Sequence, residues 1–213
     1  MSARRIEAFS DAVLAIVITI MVLEMKVPHG AEVAALGPLI PVFLSYVLSF
    51  VFLAIYWNNH HHLLHVTTGV SGTILWANMH LLFWLSLVPF VTGWMGENHF
   101  APVPTALYGV VLLLAAIAYL LLQHAILVQE GPDSILAGAL DNDWKGRSSP
   151  LIYGLAIAAA FLHPGIAGAL YVLAAIVWLI PDRRIERSLA RAVGQHARTV
   201  HAISDRSQGG REL

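Results

Sequence analysis

Polar and charged residues stand at the start of the first long apolar stretch of the chain, at Arg5, Ser10 and Asp11. From Ala12 to Leu23 the sequence then contains no charge, glycine or proline. A carboxylate in or near a membrane is costly unless another group pairs with it. Asp11 therefore needs a partner on a neighbouring helix, and the helix that carries it is a candidate functional element.

The apolar part of this stretch carries large side chains at a helical spacing. Ile16, Ile20 and Leu23 recur at i, i+4 and i+7, which places them on one face of a helix, and Thr19 shares that face. Asp11 lies about 140° from Ile16, at ~100° per residue. From periodicity alone, such a face more often contacts lipid or another helix than lines a pore.

A second set of polar residues lies at the end of the next apolar stretch. It comprises Trp57, Asn59 and His60, followed by His61 and His65. His61 and His65 have the i, i+4 spacing of two zinc ligands on one helix. No Glu follows the first His in the H-E-x-x-H manner, and no carboxylate lies near as a third ligand. We therefore expect interfacial histidines that form hydrogen bonds, and a metal site stays the alternative.

Two more polar side chains, Asn78 and His80, lie inside the third apolar stretch. Polar groups inside a membrane span are expected to be bonded to protein. The possible partners of Arg5, Ser10 and Asp11 are therefore Trp57, Asn59, His60, Asn78 and His80. Among them, His80 is a candidate partner for Asp11 or Ser10.

Composition fixes the class of protein. Of 213 residues, 58% are hydrophobic and 12% charged, whereas charged residues make up ~25% of a soluble domain. The chain has no cysteine, which excludes disulfides and thiol catalysis. It also has no G-x-S-x-G, no Walker loop and no nucleic-acid module. We expect neither an enzyme nor a cofactor, and no nucleic-acid partner.

Hydropathy predicts an all-α, polytopic membrane protein with six transmembrane helices. His163-Pro164-Gly165 divides the last apolar stretch into two segments of about 16 residues, at or just below the ~17–25 that a span needs. Pro89 should kink the third span. The predicted spans are 8–27, 39–62, 73–94, 105–128 and the two halves of 148–181.

Charge asymmetry supports six spans rather than five. Eleven of the twelve Lys and Arg residues then lie on one side of the membrane, and only Lys26 lies on the other. The positive-inside rule makes the first side cytoplasmic. We expect a multi-pass protein of the cell (inner) membrane with both termini cytoplasmic. Its membrane domain covers residues 1–182, and residues 183–213 form a basic tail. This tail either lies on the inner leaflet or on a partner chain, or is solvated.

The start of the first span resembles a known signature. The pattern R-x-x-x-F-S-D, which is Arg5, Phe9, Ser10 and Asp11 here, is similar to that of the transmembrane protein 175 family, the lysosomal potassium channel and its bacterial homologues. Weaker resemblances extend to the ends of helices 2 and 3 of that family. They rest on Trp57, Asn59, His60, Asn78 and Val88-Pro89-Phe90.

The resemblance implies a homotetramer whose first helix lines a fourfold central pore. Ile16, Ile20 and Leu23 would form the apolar constriction, and Thr19 would match a hydroxyl layer associated with potassium preference. Arg5, Phe9, Ser10 and Asp11 would anchor the first helix. The implied partners are potassium ions, the lipid bilayer and further copies of the chain.

A carbonyl-type selectivity filter is not expected. Thr68-Gly69-Val70-Ser71-Gly72 has some filter-like residues, but no pore helix precedes it and it lacks the T-V-G-Y-G pattern. Two other classes stay open. A secondary transporter or metal exporter would use the cluster from His60 to His65 and couple to a proton gradient, and a membrane scaffold would conduct nothing.

Overall fold

The computed structural model describes residues 3–132, 134–140 and 144–179, and every regular element in these residues is helical. The predicted all-α class is confirmed. A 3₁₀ helix at Val33–Leu39 precedes α2. The α-helices are α1 (Ala3–Leu23), α2 (Ile40–His65), α3 (Gly72–Ser86), α4 (Val88–Glu97), α5 (Pro102–Glu130), α6 (Ile135–Leu140), α7 (Trp144–Leu162) and α8 (Pro164–Leu179).

Among the residues that the structure describes, four helical stretches are long and apolar enough to cross a membrane. They are α1, the 3₁₀ helix continued by α2, α3 continued by α4, and α5. Two more apolar helices follow, α7 with 19 residues and α8 with 16. The prediction of a polytopic, six-helix membrane protein is confirmed, with α3 and α4 as one broken span.

The predicted limits of the first span, 8–27, are wrong at both ends. The helix begins at Ala3, because charged side chains at its start do not interrupt backbone hydrogen bonding. It ends at Leu23, four residues before the predicted end, and the Met25 N–H closes a tighter turn on the Val22 carbonyl (3.3 Å). The helix thus ends where the uncharged run ends, one residue before Glu24.

The two predicted helix breaks are present. α3 ends at Ser86 and α4 begins at Val88, so that Pro89 lies in the first turn of α4, where its missing N–H costs nothing. α7 ends at Leu162, and the Gly165 N–H at the start of α8 donates to His163 Nδ1 (3.2 Å). Residues 180–213, which include the predicted basic tail and the 182/183 domain boundary, lie outside the described residues.

α5 forms the centre of the bundle and packs against α3, α4, α7 and α8. Its buried residues include Tyr108, Leu112, Ala115, Leu122 and Ile126. Gly109 lets α8 approach, because a Cβ there would overlap the hydroxyl of Tyr171, which itself donates to the Thr105 carbonyl (3.0 Å). This core is held by close packing of side chains.

α1 lies at the edge of the bundle, where it packs against α2, α3 and α4. Because neighbours cover α1 on one side only, its other side is free in the single chain. That asymmetry defines the candidate site.

Candidate functional site

One face of α1 is buried in the bundle. Ile6, Ser10, Leu14, Val17 and Met21 are buried and follow one another at intervals of three or four residues. This spacing produces a single helical stripe. The orientation of α1 in the chain is therefore fixed by its own packing.

A second stripe on α1 faces away from the chain. It comprises Ile16, Thr19, Ile20 and Leu23, and we call it the α1 stripe. Ile16 is 57% exposed, Ile20 40% and Leu23 81%, and Thr19 is exposed as well. Large aliphatic side chains at this exposure need lipid or another protein surface around them. The structure thus places all four predicted residues on one open face.

The hydrogen bonds of Thr19 determine whether its side-chain oxygen can bind a cation. Its Oγ1 donates to the carbonyls of Ala15 (3.0 Å) and Ile16 (2.9 Å). A threonine hydroxyl has one proton and two acceptor lone pairs. Because the proton is engaged by the helix backbone, the oxygen has lone pairs left for a cation or water on the exposed side.

A buried hydrogen-bond chain ties α1 to α3 and α2. Asn78 Nδ2 donates to Ser10 Oγ (3.0 Å), and His60 Nε2 lies 2.6 Å from Asn78 Oδ1. Since the amide oxygen can only accept, His60 carries its proton on Nε2. All three residues are almost fully buried. Ser10 and Asn78 therefore hold the N-terminal half of α1 in place.

A second bond joins α1 to α2 beside this chain. Trp57 Nε1 donates to Asp11 Oδ1 (3.0 Å). Asp11 is half-buried and lies to the side of the α1 stripe, as the predicted angle of about 140° from Ile16 requires. The prediction that a neighbouring helix satisfies this carboxylate is confirmed, with Trp57 as the donor.

Several predicted partners do not reach the anchor. The prediction that His80 bonds Ser10 or Asp11 is wrong, because its Nε2 instead accepts from Trp84 Nε1 (2.9 Å), one turn further along α3. The amide of Asn59 donates to the Ile55 carbonyl of its own helix (2.8 Å). Both side chains thus bond within their own helices and not to α1.

The other two motif residues, Arg5 and Phe9, are exposed. Within the described part of the chain Arg5 forms no hydrogen bond or ion pair. An anchoring role for Arg5 and Phe9 therefore has no support inside one copy of the chain, and it stays a prediction for an assembly.

One contact near the N-terminus of α1 is not among those that the sequence predicts. Glu7 Oε1 lies 2.8 Å from His61 Nδ1, and the His61 ring stacks on Trp57 with 6.2 Å between ring centroids. Glu7 lies one turn before Asp11, and His61 one turn after Trp57. The shared i, i+4 spacing on both helices is the signal that could have identified this pair.

The histidine cluster is divided among different contacts. His60 faces Asn78 inside the bundle, His61 bonds Glu7, and the ring of His65 stacks on that of His61 at 5.9 Å. Among the residues that the structure describes, no three His, Asp or Glu side chains are gathered closely enough to hold a metal ion.

The loop with filter-like residues is bound to α5. The backbone N–H and the hydroxyl of Thr68 donate to the Glu130 carboxylate (2.9 and 3.0 Å), and Gln129 Nε2 donates to the Gly69 carbonyl (2.8 Å).

At the opposite end of the bundle, Lys26 forms an exposed ion pair with Glu97 (2.9 Å). Glu24 and Glu97 line a cavity there between α1, α2 and α4.

The fold and this helix define a polytopic α-helical membrane protein with one unpartnered apolar stripe. A family model described as the endosomal/lysosomal potassium channel TMEM175 matches residues 5–89. A potassium channel of Chryseobacterium sp. (strain P1-3) is 53% identical over 189 residues, which cover 89% of this chain and 98% of that relative. The chain belongs to the TMEM175 family, which is a family of ion channels and not of enzymes.

Other similarities agree with this membership. The crystal structure of a lysosomal potassium-selective channel TMEM175 homolog from Chamaesiphon minutus matches with a TM-score of 0.71 and 30% identity, over 84% of this chain and 96% of that one. The endosomal/lysosomal proton channel TMEM175 of Rattus norvegicus is 38% identical over 96 residues, which are 39% of this chain and 19% of that protein.

Proposed function

We propose that the chain is one subunit of a homotetrameric, potassium-preferring cation channel, with four copies of α1 around a central pore. The observation that carries the proposal is the α1 stripe. One face of α1 is buried against α2, α3 and α4, and the opposite side presents Ile16, Thr19, Ile20 and Leu23. The names of the bacterial relative and of the crystal structure, both potassium channels, support the choice of ion.

The gate follows from the chemistry of these side chains. Four copies each of Ile16, Ile20 and Leu23 would form apolar rings along the axis. Rings of this kind narrow a pore and can close it by expelling water. Truncating the side chains of one ring should therefore increase the potassium flux and not abolish it.

Ion preference is assigned to Thr19. Four Thr19 oxygens at one level would replace part of the hydration shell of a cation, since each hydroxyl proton is engaged by the helix backbone. One ring supplies fewer ligands than a multi-site carbonyl filter, so that we expect modest selectivity. The binding of the 66–72 loop to Glu130 and Gln129 of α5 supports a pore without a carbonyl filter.

The anchors on the other sides of α1 keep the stripe facing the axis. Ser10 bonds to Asn78, and Asp11 bonds to Trp57. The distribution of Lys and Arg supports an inner-membrane protein with both termini cytoplasmic.

The test is ion flux from liposomes that contain the purified full chain, with potassium inside and sodium outside. We expect an electrogenic potassium flux, increased severalfold by Ile16→Ala or Ile20→Ala. Ile176→Ala is the matched control, because Ile176 on α8 is 51% exposed and α8 lies away from α1. Equal flux in the two α1 variants and the wild type would remove these rings from the gate.

The alternative function, a metal exporter or proton-coupled transporter based on His60–His65, has less support. His60 is engaged by Asn78 and His61 by Glu7. Flux that needs a proton gradient and is lost in His65→Ala would favour that alternative. Because one relative is named a proton channel, the same liposomes should also be tested for passive proton flux.

A further inference from the structure

A cavity of about 380 Å³ lies between α1, α2 and α4, at the end of the bundle opposite the N-terminus of α1. We call it the α4 cavity. Its volume is within the range of sites that bind small molecules in proteins. Within α1 its wall is formed by Met21, which belongs to the buried face of that helix and not to the α1 stripe. The cavity is therefore separate from the proposed pore.

Aromatic rings form a large part of the wall of the α4 cavity. Tyr46 comes from α2, and Phe90 and Trp94 come from successive turns of α4. The rings of Phe90 and Trp94 stack with 6.2 Å between their centroids and an interplanar angle of 24°. The faces of aromatic rings attract organic cations, and tryptophan does so most strongly. The rings also offer apolar contacts to the carbon groups of such a cation, which a metal ion does not have.

Two carboxylates complete the lining, with Glu24 just beyond the end of α1 and Glu97 at the end of α4. Glu97 pairs with Lys26 (2.9 Å). The Glu24 carboxylate lies over Gly93, where an added Cβ would stand 3.5 Å from its Oε2. Two carboxylates and one ammonium group leave a net charge of −1 at the cavity. One monovalent cation neutralises this charge.

The helix ends around the α4 cavity add to its preference for a cation. α1 and α4 both end there, and the C-terminal end of a helix carries a partial negative charge. α2 begins there with the opposite sign. Because two negative helix ends stand against one positive end, the backbone and the carboxylates attract charge of the same sign.

We propose that the α4 cavity binds an organic monocation that carries an alkylated ammonium group, either on a soluble amine or in the headgroup of a lipid. The three aromatic rings surround the carbon groups of this cation, and Glu24 is its counter-charge. Lys26 is a built-in competitor, because its own ammonium group neutralises Glu97. The inference goes beyond the proposed function and does not depend on it, since binding is measured without ion flux.

The test is a ligand-observed NMR titration of the purified full chain in detergent with choline, at constant ionic strength. We expect saturable binding of choline. Its uncharged tert-butyl analogue, in which carbon replaces the quaternary nitrogen, should bind much more weakly, because it has the same shape but no charge. Equal binding of the two compounds, or no saturable binding of choline, would overturn the proposal.

Substitutions of the charged residues should change the affinity in opposite directions. Glu24→Gln should weaken choline binding about two- to fivefold, and Lys26→Gln should strengthen it by a similar factor, because each removes one exposed charge. Poor folding of a variant cannot produce the second effect. Glu32→Gln is the matched control, since Glu32 is an exposed carboxylate between α1 and α2 that does not line the cavity. It should bind choline as the wild type does.

A substitution on α4 separates the α4 cavity from the pore. Trp94→Leu should weaken choline binding about two- to tenfold, the value of one cation–π contact. Trp94 lies on α4 and not on the α1 stripe, so that binding inside the pore would not respond to this change. Affinities that stay at the wild-type value in both Glu24→Gln and Trp94→Leu would overturn the proposal, even if the protein conducts potassium.

The source of the ammonium group is determined by the same titration in nanodiscs of two lipid compositions. Phosphatidylglycerol has no ammonium group, whereas phosphatidylethanolamine has one. If choline binds less tightly when phosphatidylethanolamine is included, the lipid headgroup occupies the cavity. If choline binds equally in both compositions, the cavity takes a soluble amine. Either result upholds the site, and loss of choline binding in phosphatidylglycerol alone would overturn it.

Discussion

α1 and α5 are both long membrane helices, but they are stabilised by different means. α5 is surrounded by α3, α4, α7 and α8 and buries Tyr108, Leu112 and Leu122. α1 has neighbours on one side, where polar bonds from Asn78 and Trp57 supplement its packing. The enclosed helix is held mainly by packing, to which hydrogen bonds from Ser49 to Tyr108 and from Tyr171 to the Thr105 carbonyl are added. A helix that must leave one face open needs directional bonds on its other faces.

The largest loss of stability is expected from a substitution in α5. Leu122→Ala should lower the free energy of unfolding by about 2–5 kcal/mol, because Leu122 is fully buried and the change leaves a cavity. The measurement is chemical denaturation of the purified protein in detergent micelles. Leu121→Ala is the control, since Leu121 is the adjacent residue and is 49% exposed. A similar loss in both variants would mean that α5 is not the enclosed helix described above.

The second largest loss of stability is expected where Asn78 bonds α1 through Ser10. Asn78→Ala should cost about 1–3 kcal/mol, because it leaves the buried side chains of Ser10 and His60 without their shared partner. It should also reduce the tetrameric fraction in size-exclusion chromatography with light scattering. Asn98→Ala, which removes only an exposed bond to the Trp94 carbonyl, should do neither. An intact tetramer with normal stability in Asn78→Ala would show that packing alone holds α1.

The smallest effect on stability, with the clearest effect on function, is expected on the α1 stripe. Thr19→Val should change the free energy of unfolding by less than about 0.5 kcal/mol, because Thr19 is exposed and bonds only its own helix. It should reduce the potassium-to-sodium permeability ratio by about two- to tenfold, the value of one lost polar interaction. Reversal potentials under bi-ionic conditions measure this ratio. With Thr105→Val, a buried α5 position, the ratio should stay unchanged.

Much of this architecture follows from local sequence. Hydropathy identifies the spans, and proline places the breaks at Ser86–Val88 and at His163, because both signals depend on residues adjacent in the chain. Helical periodicity separates the α1 stripe from Asp11 for the same reason. These features need no knowledge of how the helices are arranged.

The partners across helices were less predictable. Asn78 reaches Ser10 while His80, two residues further on, points about 160° away round the wheel and bonds Trp84, at ~100° per residue. Which of the two faces α1 depends on the rotation of α3 in the bundle, which the sequence of α3 alone does not fix. The pair of Glu7 and His61 is not evident from the sequence, because interfacial charges usually face water. Its i, i+4 match to Asp11 and Trp57 becomes meaningful only when α1 and α2 are side by side.

The break at Leu87 has a consequence for how α1 is held along its length. α3 bonds the N-terminal half of α1 through Asn78 and Ser10, whereas α4 stands beside its other end, where Met21 and Glu24 share a cavity with Gly93. Since the two supports are separate helices, a bend at Leu87 moves one without moving the other. Because α1 is one unbroken helix from Ala3 to Leu23, a change in the angle between α3 and α4 would shift the support at one end and tilt α1 as a whole.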